Sequence, residues 1–296
     1  MKPFDYVAAT DSQHAIALLA EHGARARILA GGTDLLADLK SAPHAPGIVV
    51  DISRAADLKG IALTADGLRI GALATHGEIM RSPLVREHCP VLIEAAHTIG
   101  AVQTRNLATI GGNLMTCVPS MDSGPALVAL EAEVTVRGVD GERRMPLTEL
   151  FVGPRRTCLT RSELLTAVII PQASLGKPAS FLKFGLRKGQ ALALVNAAAS
   201  LRVDSERNSF VAPRIALGAV APTVIRAPKA EAFLAGLTIT PEAMDEAGRI
   251  AASEARPISD FRASAEYRRD LVAVLVKRAL GVAFERATAQ VRERVS

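Results

Sequence analysis

The order of apolar and polar residues predicts a chain that mixes helices and strands. Residues 11–23 begin with an Asp, carry apolar residues at helical spacing and end in Gly, so they predict a helix. Short apolar runs predict strands over residues 27–30 and 48–52, and leucines at helical spacing predict a helix over 34–40, directly after the first glycine pair. Several short helices are expected over residues 75–99, and an apolar helix over 125–130.

Two Asp-Gly pairs lie beside apolar runs, and each predicts a hairpin turn. One pair, Asp66-Gly67, divides two runs within residues 58–73, and the other, Asp140-Gly141, follows a run at 134–136. Both central positions of such a turn tolerate positive φ. Hairpins next to separate helices indicate an α+β fold rather than a repeating βαβ parallel sheet.

A stretch rich in Pro, Gly and Ser at residues 171–178 follows a predicted strand over 164–170, and it indicates a linker. We therefore predict two domains, residues 1–176 and 177–296, the second a small antiparallel sheet packed against helices. Its predicted strands cover 181–186, 192–203 and 211–220, and its predicted helices cover 230–234, 241–255 and 265–289.

Twice, a Gly-Gly pair follows a short apolar run and leads into a small polar residue. The first pair is Gly31-Gly32, before Thr33, and the second is Gly111-Gly112, before Asn113. Glycine reaches positive φ and lets a ligand approach the backbone N–H groups, so a strand–loop–helix with paired glycines can surround a phosphate. A single pair is usually only a turn. Two such loops predict a diphosphate held from both sides.

Composition indicates an ordinary globular protein. Of the 296 residues, 49% are hydrophobic and 22% charged, and the net charge of +5 comes from scattered basic residues with few aromatic residues between them. This pattern argues against nucleic-acid binding. No run approaches the length of a membrane span, and the first residues lack a signal-peptide core, so we expect a cytoplasmic protein.

The residues that carry metal or nucleophile chemistry are few and dispersed. Cys89, Cys117 and Cys158 are too few for a disulfide framework or a four-cysteine iron–sulfur site, so any cluster must be on another polypeptide. The six histidines form no ligand pair of the H-E-x-x-H kind. Phosphate-loop, GxGxxG and GxSxG motifs are absent from the sequence. We assign no catalytic and no metal-binding residue to this chain.

The two glycine stretches and residues 260–269 resemble, in order, signatures of the FAD-carrying medium subunits of molybdenum hydroxylases. This family includes xanthine dehydrogenase, aerobic carbon monoxide dehydrogenase and N-heterocycle hydroxylases. The likeness runs from Pro3 to the last predicted helix. It implies a two-lobed FAD-binding domain of the vanillyl-alcohol oxidase/PCMH type, followed by a carbon monoxide dehydrogenase flavoprotein-like C-terminal domain over the isoalloxazine. Because the chain has no cysteine-bearing insertion, the branch resembling 4-hydroxybenzoyl-CoA reductase is disfavoured.

The resemblance also implies which residues bind FAD. Those in or beside the glycine stretches are Leu29, Ala30, Gly31, Gly32, Thr33, Asp34, Leu35, Thr109, Ile110, Gly111, Gly112 and Asn113. Backbone N–H groups of residues 31–35 would bind the pyrophosphate, with the Thr33 hydroxyl as a further donor, and Asn113 with the second glycine pair would form the opposing wall.

Three more distant residues complete the implied site. Asp122 would accept hydrogen bonds from the adenosine portion, or alternatively cap the helix that enters at Pro125. Leu165 would lie near the adenine end. Lys183 would approach the flavin, and a cation there would raise its reduction potential.

The stretch around Lys183 allows a second interpretation, and it also departs from the family pattern at one position. Lys183 and Arg187 form a Lys-x-x-x-Arg pattern, and the alternative is a pair of solvated strand cations. Ala191 stands where many family members have an acidic residue, so a usual polar contact of that loop is missing.

The implied function is FAD-dependent electron transfer within a larger enzyme. A large molybdopterin subunit would oxidise the substrate, a small subunit would relay electrons through two [2Fe–2S] clusters, and the FAD here would deliver them to NAD⁺, a quinone or another acceptor. The expected assembly is a dimer of heterotrimers, and this chain alone would not act on the organic substrate.

Two alternatives to this function stay open. The first is a self-contained FAD-dependent oxidoreductase of the same fold, for which polar candidates in the second domain, namely Arg187, Lys188 and Gln190, are few. The second is an assembly subunit that has lost FAD, against which both glycine pairs are intact.

Overall fold

The computed structural model describes residues 2–295. The strands are β1 (Asp5–Ala8), β2 (Ala26–Leu29), β3 (Ile48–Asp51), β4 (Ile61–Thr64), β5 (Gly67–Gly71), β6 (Glu133–Gly138), β7 (Gly141–Pro146), β8 (Phe151–Gly153), β9 (Arg156–Thr157), β10 (Leu164–Pro171), β11 (Ala179–Gly185), β12 (Ala193–Asp204), β13 (Ser209–Gly218) and β14 (Ile225–Arg226). The α-helices are α1 (Ser12–His22), α2 (Leu35–Ser41), α3 (His76–Arg81), α4 (Pro83–His88), α5 (Pro90–His97), α6 (Val102–Leu107), α7 (Ile110–Thr116), α8 (Ser123–Ala129), α9 (Leu147–Leu150), α10 (Pro228–Leu234), α11 (Pro241–Glu254) and α12 (Ala265–Val295).

A three-stranded parallel sheet, in the order β1-β3-β2, forms the first lobe. Helix α1 packs on it as predicted: the Asp11 side chain accepts the N–H of His14, and Gly23 ends the helix with φ of +50°. Strand β1 and the parallel pairing were not predicted, because the residues of β1 are exposed or half-buried and form no apolar run. Overall the fold is α+β, as predicted.

A five-stranded antiparallel sheet, in the order β4-β5-β10-β6-β7, forms the second lobe. Both predicted hairpins are present, but their turns begin one residue earlier than expected. Gly67 pairs with Thr64 and Gly141 pairs with Gly138, so each glycine follows the two-residue turn instead of lying at its centre. Each takes positive φ there, +137° and +124°. Glycine is favoured at this last position of a common turn type.

The segment between β5 and β6, two strands of the second lobe, is more helical than predicted. Helices α3, α4 and α5 cover the predicted short helices, and α3 begins with a capping box between Thr75 and Glu78. Helices α6 and α7 were not predicted. Helix α7 starts at Ile110, so the second glycine pair lies within the first turn of a helix and not in a loop after a strand.

The C-terminal part contains the predicted antiparallel sheet, in the order β11-β12-β13-β14, packed against α10, α11 and α12. Helix α8 is buried along all its residues and lies between this sheet and the first part of the chain. One apolar core therefore includes residues from both sides, such as Leu127 of α8 and Phe181 of β11.

Candidate cofactor site

The first glycine pair lies in the loop between β2 and α2, as predicted. This loop leaves the carboxyl edge of the parallel sheet, where ligands of open α/β sheets commonly bind. Gly32 has φ of +72°, which favours glycine, and a Cβ on Gly31 would lie 1.9 Å from the carbonyl oxygen of Leu107. Glycine is therefore required at both positions, at one by its dihedral angle and at the other by close packing.

The backbone N–H groups of this loop are free to bind a ligand. Across residues 2–295, no acceptor is found for the N–H groups of residues 31–35. These groups include the start of α2, where an uncapped helix leaves its first donors unsatisfied. Consecutive free N–H groups at a helix start favour an anionic group such as a phosphate.

The second glycine pair differs, because its donors are already used. The N–H groups of residues 110–113 all bond within the protein. Two reach the carbonyls of Ala74 and Ala72, both at 2.9 Å, and two reach the Thr109 hydroxyl and carbonyl, at 3.1 and 2.9 Å. The expectation that the two stretches hold a diphosphate from both sides stays a prediction, but among the described residues only the first loop offers free N–H groups.

Glycine in the second pair is explained by packing. A Cβ on Gly111 would lie 2.7 Å from the Ala72 carbonyl oxygen, whereas a Cβ on Gly112 would meet only the Thr109 hydroxyl, at 2.9 Å. Because Gly112 has no side chain, the space beside it stays unfilled apart from the Thr109 hydroxyl. Asn113 adds a polar side chain whose Oδ1 accepts from the Ser123 hydroxyl, so its amide nitrogen is left for a ligand.

A cleft of about 800 Å³, here called the main cleft, lies between the two glycine stretches. Its volume is that of a site for a large organic ligand. The predicted residues that line it are Ala30, Gly31, Gly32, Thr33, Asp34, Leu35, Thr109, Gly111, Gly112, Asn113 and Leu165. Four predicted residues are absent from its lining: Leu29, Ile110, Asp122 and Lys183.

Three arginines that the sequence analysis did not select also line the main cleft. Arg25 and Arg27 have no ion pair among the described residues, so they add positive charge to the cleft. Arg155, on the turn between β8 and β9, pairs with Asp38 of α2 at 2.8 Å. The alternation of Arg25 and Arg27 with apolar residues at β2 was the signal that could have identified them.

Asp122 and Lys183 form a buried ion pair between the two parts of the chain. Their side chains are 7% and 8% exposed, and the Lys183 ammonium lies 2.5 Å from Asp122 Oδ2 and 3.1 Å from the Thr98 carbonyl oxygen. The Asn196 amide donates to Asp122 Oδ1 at 2.9 Å. Burial raises the pKa of Asp122, although Lys183 and Asn196 oppose this rise.

This pair corrects both alternative interpretations of its residues. Asp122 is the N-cap residue of α8 by position, but its side chain makes no capping bond because it is engaged by Lys183. Lys183 is no solvated strand cation, whereas Arg187 is exposed and bonds only to the carbonyl of Gln190. Ser123, next to Asp122, bonds to Asn113, so the pair lies one residue behind the wall of the main cleft.

The part of the chain that the structure describes gives little support for a metal site or a reactive thiolate. It contains no group of three or more His, Cys, Asp or Glu side chains placed to hold a metal. Burial raises the pKa of Cys89 to about 12 and also raises that of Cys117, so neither is poised as a thiolate. Over the same residues, no helix has the length and apolar character needed to cross a bilayer.

Sequence comparison finds two family matches in this chain. Residues 2–173 match the FAD-binding domain in molybdopterin dehydrogenase, and residues 180–283 match the carbon monoxide dehydrogenase flavoprotein C-terminal domain. The chain is 34% identical to the 6-hydroxypseudooxynicotine dehydrogenase complex subunit alpha of Paenarthrobacter nicotinovorans, over 97% of each chain. It is 32% identical to the carbon monoxide dehydrogenase medium chain of Hydrogenophaga pseudoflava, over 96% of this chain and 98% of that one.

Solved structures of such enzymes also superpose on this chain over nearly its full length. A chain of carbon monoxide dehydrogenase from Hydrogenophaga pseudoflava superposes with a TM-score of 0.92 at 34% identity, covering 97% of this chain and 99% of that one. A chain of quinoline 2-oxidoreductase from Pseudomonas putida 86 superposes with a TM-score of 0.90 at 30% identity, covering 97% and 100%.

Proposed function

The chain belongs to the family of FAD-binding medium subunits of molybdenum hydroxylases, and on this premise we propose that it transfers electrons from the iron–sulfur clusters of a partner subunit to an acceptor such as NAD⁺ or a quinone. The observation that carries the proposal is the row of free N–H groups at residues 31–35, which borders a cleft of about 800 Å³. Bound FAD would supply the ability to accept electrons singly and release them as a pair.

The first glycine loop would hold the diphosphate of FAD. Its N–H groups provide fixed donors, the Thr33 hydroxyl adds one more, and Arg25 and Arg27 supply positive charge without carboxylate partners. Because the N–H groups are not spent on protein acceptors, an anionic ligand would satisfy them without breaking an existing bond, whereas the Thr33 hydroxyl would have to leave Asp34 Oδ2, which it contacts at 3.4 Å. The contribution of this loop is thus charge recognition.

The second glycine stretch would shape the opposite wall of the site. Gly112 leaves room beside the helix start, Asn113 offers its amide nitrogen, and Leu165 contributes apolar surface. Five further predicted residues support these contacts from within or behind the wall, namely Leu29, Ala30, Thr109, Ile110 and Gly111.

We retain Asp122 and Lys183 as proposed cofactor contacts, Asp122 toward the adenosine portion and Lys183 toward the flavin. The support is the Ser123–Asn113 hydrogen bond, which connects the ion pair to the wall of the main cleft. Because both side chains are more than nine-tenths buried, removal of one partner would leave an uncompensated charge that acts over a longer range than it would in water.

Two partner subunits would complete the enzyme. A molybdopterin-carrying large subunit would oxidise the substrate and an iron–sulfur small subunit would pass the electrons on, in a cytoplasmic dimer of heterotrimers. The names of relatives support a multi-subunit enzyme, since they include a "medium chain" and a "complex subunit alpha". The proposed domain boundary, after residue 176, is supported by the gap between the two family matches, at 174–179.

The test is cofactor analysis of the purified chain. We expect one FAD per chain by absorbance after denaturation, no stoichiometric molybdenum or iron, and no oxidation of purines, aldehydes or carbon monoxide until partner subunits are added. An FAD-free chain, bound metal, or turnover by the isolated subunit would each overturn the proposal.

The role of Lys183 is tested separately by redox titration. If its ammonium stabilises the reduced flavin, Lys183→Ala should lower the reduction potential by about 20 mV, equivalent to about 1 kcal/mol over two electrons. Arg187→Ala is the matched control, because Arg187 is an exposed cation in the bend that follows the same strand. An unchanged potential at full FAD occupancy would place Lys183 away from the ring.

A further inference from the structure

A second cavity, of about 350 Å³, lies where the two parts of the chain meet. Pro119 and Pro154 line it from the first part, and Leu192 and Ile258 line it from the second. Its lining shares no residue with that of the main cleft. The volume suits a small ligand, at the lower end of the usual range for binding pockets.

The charged residues of this cavity are strongly unbalanced. Arg256, Arg262 and Arg268 line it together with a single carboxylate, Asp260. The lining therefore has two more positive than negative charges.

Asp260 cannot balance the remaining arginine, because its hydrogen bonds are already made. Its Oδ1 accepts the N–H groups of Arg262 and Ala263 and the Arg268 guanidinium, and its Oδ2 accepts from the Arg262 guanidinium. Although burial acts to raise the pKa of Asp260, these donors hold it at about 2. The carboxylate is thus fully engaged in the wall of the cavity.

Unused donors remain on the arginines. Arg268 is 4% exposed, and its Nε has no hydrogen-bond partner among the described residues. Across the same residues, Arg256 has neither an ion pair nor a side-chain hydrogen bond, although its backbone N–H is fixed by the Val220 carbonyl. Arg262 stacks on the ring of Phe261 at 4.1 Å, which holds its guanidinium in place. The buried Arg268 Nε without a partner is costly, and the exposed Arg256 adds an unpaired positive charge beside it, so the two arginines together favour an anionic ligand.

The rest of the lining is apolar, since it consists largely of Pro, Ala, Leu and Ile. A cavity that combines apolar walls with guanidinium groups suits a ligand with a flat apolar part and an anionic group. We propose that this second cavity binds a phosphorylated ligand of mononucleotide size, with the phosphate at Arg256 and Arg268 and the base between Pro119 and Ile258. The assignment does not depend on FAD in the main cleft.

Calorimetric titration of the FAD-loaded chain with ADP, adenosine and inorganic phosphate tests the proposal. We expect saturable ADP binding, weaker binding of adenosine and of phosphate, and about tenfold weaker ADP binding by Arg256→Gln. Arg249→Gln is the matched control, because Arg249 is an exposed arginine paired within α11, and it should bind ADP as the wild type does. Flavin fluorescence during the titration shows whether ADP displaces FAD from the main cleft.

Other outcomes would overturn the assignment. Phosphate binding as tight as that of ADP would show an anion site without a base pocket. Equal ADP affinity in wild type and Arg256→Gln, or ADP uptake in step with FAD release, would place the nucleotide elsewhere. Absence of saturable binding would leave the arginine cluster a structural one.

Discussion

The two glycine stretches share a sequence pattern but use their backbones in opposite ways. In the first, the N–H groups of residues 31–35 have no acceptor among the described residues, and these five residues line the main cleft. In the second, the N–H groups of residues 110–113 bond to Ala72, Ala74 and Thr109. The first stretch thus leaves its donors unused by the protein, and the second uses its donors to fix the start of helix α7.

This difference shows that a paired glycine has more than one cause. Gly32 has positive φ, whereas Gly31 and Gly111 have no room for a Cβ because backbone carbonyls lie against them. Only Gly112 faces open space apart from the hydroxyl of Thr109. A glycine pair therefore predicts close backbone approach, but whether the approaching group is a ligand or another part of the chain depends on tertiary structure.

The largest expected effect comes from placing a negative charge in each of the two glycine stretches and comparing how much FAD is lost. Gly32→Asp adds strain and a carboxylate beside the free N–H groups, so we expect loss of FAD from the purified chain. Gly112→Asp also places a charge in the cleft, but the N–H groups around Gly112 already bond to protein acceptors. This variant should therefore release FAD less completely than Gly32→Asp. FAD content per chain is the measurement. Full occupancy in both variants would contradict the loop assignment.

The next effect concerns stability. A Cβ on Gly31 would collide with a backbone carbonyl that cannot move independently, so Gly31→Ala should lower the free energy of unfolding by about 3 kcal/mol. The matched variant Gly112→Ala meets only the Thr109 hydroxyl and should cost about 1 kcal/mol or less. Urea unfolding of the two variants decides this, and equal losses would remove the distinction between packed and open glycines.

A pH effect is expected on the side of the second stretch. His76 is 1% exposed, its backbone N–H donates to the Ala108 carbonyl, and its ring Nε2 has no hydrogen-bond partner among the described residues. Burial, with a contribution from Arg105, lowers the pKa of His76 to about 4. As pH falls from 6.5, the unfolded chain binds a proton that the folded chain does not, so His76 should reduce stability by about 2 kcal/mol at pH 5.

The control for this effect is His76→Gln, which cannot titrate. Urea unfolding at pH 7 and pH 5 should show a smaller acid loss in this variant than in the wild type. The same acid loss in both proteins would show that other groups cause it.

The smallest expected effect tests the cap of α7. The Thr109 hydroxyl accepts the N–H of Gly112, so Thr109→Val should lower the free energy of unfolding by about 1 kcal/mol. Thr33→Val removes a hydroxyl that caps no helix, and it should change stability by less than about 0.5 kcal/mol. If the two variants were equally stable, the second stretch would not depend on its internal hydrogen bonds as described.

Local patterns predicted the first stretch and not the second for a physical reason. The strand before Gly31, the helix after Asp34 and the glycine conformation are all set by neighbouring residues, so the sequence was sufficient. Helix α7 contains two adjacent glycines, which disfavour a helix, and it forms because carbonyls of distant residues bind its first N–H groups. Those carbonyls belong to Ala72 and Ala74, which lie outside the stretch of sequence that forms the helix.

The same limit applies to the ion pair of Asp122 and Lys183. Each residue was selected individually through the family resemblance, but their contact joins segments far apart in the chain. Their isolation from solvent also comes only from packing of α8 against the C-terminal sheet. Their proposed roles toward the cofactor remain predictions.

The burial of α8 has a consequence for how the chain is made on the ribosome. Its residues are enclosed partly by β12 and β13, which are synthesised after it. Until those strands emerge, the apolar face of α8 is exposed to water and prone to aggregation. The nascent first half would then depend on the second half, or on a chaperone that shields this helix, before a soluble product can accumulate.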